Sequence, residues 1–110
     1  WDSTNYRWTP GVAGKYLISI NVEIVAASDT AKQCIAHIYK NGSSICYGYL
    51  NMNAFDLRSS GSQAIGAATI VTATATDYYE GFVYMQTNSG TVSVRANNDN
   101  TNLIGYKLGI

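Results

Sequence analysis

Over residues 15–25 the chain alternates without a break: Tyr16, Ile18, Ile20, Val22 and Ile24 interleave with Lys15, Leu17, Ser19, Asn21 and Glu23. A period of two is the side-chain period of a β-strand, and a helix cannot bring five such residues to one face. The segment reads as a strand with Tyr16 and the four β-branched residues in the core and Leu17 pointing away from it. The remainder has the same character. Pro10-Gly11 and Ala13-Gly14 punctuate the strand's start, and residues 33–40 and 44–50 flank Lys40-Asn41-Gly42-Ser43 as a hairpin. Residues 51–63 read as a loop, 64–76 as a strand of small and β-branched residues, and 78–87 as an alternating aromatic strand. Asn88-Ser89-Gly90 turns into a strand over 91–96, and a polar loop over 97–101 leads to a last strand over 102–110. No helical period with caps is present. Short strands separated by turn signals predict an all-β protein, an antiparallel sandwich of two sheets.

Length and charge narrow the classes further. At 110 residues the chain is a single domain able to bury a core without staples. Seven basic and seven acidic residues cancel, which argues against a nucleic-acid partner that needs a basic patch. Hydrophobic content of 46% against 13% charged is too apolar for disorder. No apolar run approaches the roughly 20 residues of a membrane helix, so membrane insertion is not expected. The chain begins at Trp1 with no signal peptide, which reads as a processed or excised piece.

The two cysteines flank the predicted hairpin. With Asn41-Gly42 as a two-residue loop, His37 faces Cys46 and Cys34 faces Tyr49, and the thiols lie on opposite faces. With a three-residue loop they share a face but stand about 13 Å apart along the ladder, beyond disulfide reach. Either way they are expected to be free.

Little in the chain supports catalysis. His37 is the only histidine, expected mid-strand and either packed or at an interface rather than acting as a base. The acids Asp2, Glu23, Asp29, Asp56, Asp77, Glu80 and Asp99 show no paired spacing of the kind glycosidases need. No cysteine–histidine spacing suits zinc, and no glycine-rich loop leads into a helix as a phosphate cradle. Asn97-Asn98-Asp99-Asn100 is oxygen-rich but reads as a solvated turn rather than a calcium site. Asn41-Gly42-Ser43 matches a glycosylation sequon, which the turn already explains. No enzyme activity, metal or cofactor is expected.

With the strands laid out, four short motifs in order resemble the jelly-roll superfamily of the complement component-one q-subcomponent head and the tumour necrosis factors, closest to phage or bacterial fibre-tip members. Thr9-Pro10 followed by Ala13-Gly14-Lys15-Tyr16 is similar to that family's entry into a long inner strand. Ile38-Tyr39-Lys40-Asn41-Gly42 is similar to its lysine-asparagine-glycine hairpin. Asp77-Tyr78-Tyr79 resembles the start of a later strand, with Thr76 in place of the usual glycine. Leu103-Ile104-Gly105-Tyr106-Lys107-Leu108 resembles the closing strand, with leucine for the first phenylalanine. The resemblance covers the chain from about Trp8 onward and places the family's first strand upstream of Trp1. It implies one jelly-roll domain over residues 1–110, the C-terminal piece of a longer fibrous protein on a virion surface or outside a cell. The alternative it leaves is a secreted complement-head-like or tumour-necrosis-factor-like ligand domain.

The same resemblance implies a homotrimer. On the last strand Ile104, Tyr106 and Leu108 suit the core, which turns Leu103, Gly105 and Lys107 outward. Beside Leu17 they form an outer face, so Lys15, Leu17, Ser19, Leu103 and Lys107 are the expected trimer contacts, with water, ions or carboxylates offsetting the lysines and Glu23 as one candidate. A host-surface receptor, in one version a glycan, is the second expected partner. Nine tyrosines point to recognition by stacking. The resemblance implies that the face with Val83 and Met85 is the core one, which leaves Phe82 and Tyr84 outside, joined by Tyr47 and Tyr49 if their strand lies close. Phe55 and Arg58, in the loop that also carries Met52, are the second candidate receptor surface.

Overall fold

The computed structural model describes residues 1–26, 31–51, 61–87, 92–95 and 101–109. Strands dominate them in chain order: β1 (Gly14–Ala26), β2 (Ala31–Lys40), β3 (Ser43–Asn51), β4 (Gly61–Ala73), β5 (Tyr79–Thr87), β6 (Val92–Val94) and β7 (Asn102–Leu108). No helix occurs among the described residues. The strands form two antiparallel sheets packed face to face. In one, β1 is central, with β4 along one side and β7 and β6 in succession along the other. In the other, β2 lies between β3 and β5.

The alternation of β1 decides the core. Tyr16, Ile18, Ile20, Val22 and Ile24 are all buried against Cys34, Ala36 and Ile38 of β2, Ile65 and Ala73 of β4, and Tyr79 of β5. Each fully buried Ile or Val contributes about 1.5–3 kcal/mol of hydrophobic free energy, so slipping β1 by one residue would forfeit most of the core. Trp8 plugs one end. Its backbone exchanges hydrogen bonds with Tyr79 (2.9 and 2.8 Å), and its ring lies 5.5 Å from that of Tyr16 and 5.8 Å from that of Tyr79.

Three expectations are corrected. The hairpin has the two-residue loop, with Asn41 and Gly42 both at positive φ (51° and 85°) and Lys40 opposite Ser43. A bulge at Ile45 then shifts the register, so His37 faces Tyr47 and Cys34 faces Leu50. Cys34 and Cys46 therefore share the inner face, with Cys46 opposite Ile38, and both are free. Residues 61–63 belong to β4 rather than to a loop, and 74–76 form a turn. That turn is tied by Asp77, whose carboxylate accepts hydrogen bonds from the Thr74 amide (2.8 Å) and the Asn41 side chain (2.9 Å) and pairs with Lys40 (3.0 Å).

The third correction concerns β7. Leu103 pairs with Ile20, Gly105 with Ile18 and Lys107 with Tyr16, so these three share the inner side, while Ile104 and Tyr106 point out. The cause is Trp8. A Cβ on Gly105 would stand 2.5 Å from the indole, so the ring occupies the space that a side chain would need. With apolar residues on both of its sides, β7 is oriented by this indole rather than by its own pattern.

Candidate functional site

Two outward faces carry what the fold leaves unburied. On the β1 sheet, Leu17 lies between Ile70 of β4 and Tyr106 of β7, and Ser19 lies between Ala68 and Ile104. Leu17 is 38% exposed, Ile104 49%, Ile70 64% and Tyr106 67%. Lys15 adjoins this row on β1, opposite Thr72 and Leu108, and no other charged residue stands in the outward-facing rows of Lys15, Leu17, Ser19 and Asn21. Of the expected contacts, Lys15, Leu17 and Ser19 are on this face. Leu103 packs against the core, and Lys107 sits at the inner rim beside Gly14. Their places are taken by Ile104 and Tyr106, with Ile70 supplied by β4. Within one chain Glu23 has a different partner. It pairs with Arg95 at 3.3 Å, and the backbone amide of Arg95 donates to the Glu23 carbonyl.

The outer face of the β2 sheet is aromatic. Val83 and Met85 pack against the core, and Phe82 and Tyr84 are exposed. Because β3 and β5 flank β2, Tyr47 and Tyr49 lie on the same face: His37 stands between Tyr47 and Phe82, and Ile35 between Tyr49 and Tyr84. The rings are in contact. Tyr39 and Phe82 have centroids 4.6 Å apart, and His37 lies 5.7 Å from both Tyr39 and Tyr47. Beside them runs a polar chain across all three strands, in which the Tyr49 hydroxyl donates to Gln33 (3.1 Å) and the Gln33 amide donates to Gln86 (2.8 Å). His37, Tyr39 and Gln33 were not singled out as binding residues from sequence. The outward parity of β2 was the available signal, but the predicted register placed His37 opposite Cys46. Phe55 and Arg58, and the oxygen-rich stretch 97–100, lie outside the described residues.

Chemistry on these surfaces is limited. His37 Nδ1 and Ser44 Oγ are 3.0 Å apart, which places a base beside a hydroxyl. The pair sits on an open strand face, and among the described residues no carboxylate hydrogen-bonds the imidazole. Burial pushes the Cys34 thiol up to about 11, which suppresses its thiolate at neutral pH. A cavity of about 220 Å³ between β5 and the β1–β7 pair is lined by Trp1, Ile20, Val22, Val83 and Leu103 among others, with no carboxylate, imidazole, thiol or basic side chain. Among the described residues no group of three His, Cys, Asp or Glu side chains could hold a metal. Both polar ends of the Asn41 amide are engaged, one by Asp77 and the other by the Tyr78 backbone amide, so the sequon asparagine is already committed to the turn. No protein-family model matches this chain, and no curated protein matches it.

Proposed function

We propose that this protein is a non-catalytic, homotrimeric jelly-roll head of a viral fibre, such as a phage tail fibre, or of a bacterial surface fibre, and that it binds a receptor on the host surface. The observation that carries the reading is the row of Leu17, Ile70 and Tyr106 with Ile104 beside it, side by side on one sheet and almost free of charge. Apolar side chains grouped in this way on a small domain mark an interface, because covering them removes their area from water at little polar cost. The resemblance of the motifs to the complement and tumour-necrosis-factor heads supplies the number of copies. A trimer would cover this face and leave the opposite, aromatic sheet open three times over, so that weak sites gain by avidity.

Sedimentation equilibrium tests the reading. The expected mass at micromolar concentration is three times the 11.9 kDa of one chain. Ile70→Glu, which sets a carboxylate at the β4 end of the row beside Leu17, is expected to return the mass to that of one chain with the fold retained. A wild-type monomer, or a trimer indifferent to Ile70→Glu, would overturn the reading.

A further inference from the structure

We infer that the outer face of β3–β2–β5 is a stacking platform for neutral sugar rings, which rests on the binding-head reading and names the ligand class of its exposed sheet. Three observations converge. First, the face offers flat rings at neighbouring positions on three adjacent strands, with Tyr47, His37, Tyr39 and Phe82 in mutual contact and already held in place. Strands about 4.8 Å apart put the β3 and β5 positions of one row about 10 Å apart, a span suited to a pair of linked sugar rings. Rings held by their neighbours lose little entropy on binding.

Second, the polar groups among the rings match hydroxyls. The Tyr49–Gln33–Gln86 chain crosses the platform, and the Ser44 hydroxyl adjoins His37. Amides and phenols both give and accept hydrogen bonds, as a sugar's hydroxyls require. Third, the charge selects against other ligands. The face carries no lysine or arginine from Gln33 to Tyr39 on β2, from Tyr47 to Asn51 on β3 or from Glu80 to Gln86 on β5, and Glu80 is its one carboxylate. Phosphates, sulfated glycans and nucleic acids would therefore find no lysine or arginine there. The opposite sheet has a single exposed ring, Tyr106, among the aliphatic Leu17, Ile70 and Ile104, with its amides, Asn21 and Asn102, paired to each other two outward rows away, and suits a second copy of the chain instead.

The experiment titrates the intact protein with neutral cello-, malto-, xylo- and manno-oligosaccharides, with a heparin fragment as the anionic control. Binding is followed by calorimetry and by amide chemical shifts. At least one neutral series is expected to bind, with shifts confined to β2, β3 and β5. Phe82→Ala and Tyr84→Ala are each expected to weaken that binding about tenfold, whereas Tyr84→Phe, which keeps the ring, stays within about twofold. Shift mapping on the wild type decides the matter if either alanine variant fails to fold. Absence of binding by every neutral series, a preference for heparin, shifts on another surface, or a change in oligomer mass with Phe82→Ala would each overturn the inference. A trimer that binds no sugar leaves the proposed function standing without this platform, and a monomer whose β2 sheet binds sugar does the reverse.

Discussion

On the β1 sheet the residues that point to solvent are Leu17, Ile70, Ile104 and Tyr106; on the β2 sheet they are Tyr47, Tyr49, Phe82 and Tyr84 around His37 and Tyr39. Both sets arise from the same alternation behind a shared core, yet they differ in kind. Aliphatic side chains offer area without direction, and three of the four on the first face have no polar atom to satisfy once covered. The second face offers planes and hydroxyls, which stay hydrated when free and select partners by shape when bound. A small sandwich can thus divide self-association and recognition between its two sheets.

The sharpest way to break this division is a crossed pair of variants. Ile70→Glu should change the mass threefold and leave sugar affinity per site intact, whereas Phe82→Ala should change affinity about tenfold and leave the mass intact. Mixed effects would mean that the two faces are one surface. The contrast between inside and outside is next in size. Ile18→Ala should cost about 2–5 kcal/mol in urea unfolding, while Leu17→Ala, one residue away, should cost the isolated monomer no more than about 0.5 kcal/mol.

Gly105→Ala probes the device that sets which side of β7 faces out. Its methyl meets the Trp8 indole, which is itself packed on Tyr16 and Tyr79, so a loss of about 1–3 kcal/mol is expected, with a red shift of tryptophan emission if the ring is expelled. The smallest effect is expected two residues before Tyr79, where Asp77 ties the hairpin to the turn after β4. Hydrogen bonds from Asn41 first, then from the Thr74 amide and Lys40, hold its carboxyl well below the usual range. A carboxyl depressed in the folded state stabilises it fully above the unfolded value of about 3.9, and that stabilisation fades as the pH falls below it. The urea midpoint of the wild type should therefore drop more steeply below pH ~4 than that of Asp77→Asn. Equal slopes would show that the tie adds nothing.

How far these features were legible in the sequence varied from strand to strand. β1 was plain because its two faces differ in kind, branched apolar residues against a mixed set. The outward placement of Phe82 and Tyr84 followed from the resemblance, whose core pattern Val83 and Met85 match on the other parity. The hairpin's turn was legible from Asn41-Gly42, but its bulge was not, since nothing in Ser44-Ile45-Cys46 announces which residue lacks a cross-strand partner. For β7 the reading was inverted. Ile104, Tyr106 and Leu108 outweigh Leu103 in bulk and so suit the core by pattern, whereas Gly105 on the other parity marks space taken by another residue.

Taken alone, the sequence determined the class of fold and the two-sidedness of each strand, because the side-chain period of an extended backbone is local and needs no knowledge of neighbours. Tertiary structure decided which side of β7 is inside and that β3 and β5 share β2, thereby assembling one aromatic face from three separate stretches of chain. Those outcomes depend on which segments meet across the sandwich, and an indole some hundred residues upstream of Gly105 leaves no trace in the local pattern of β7.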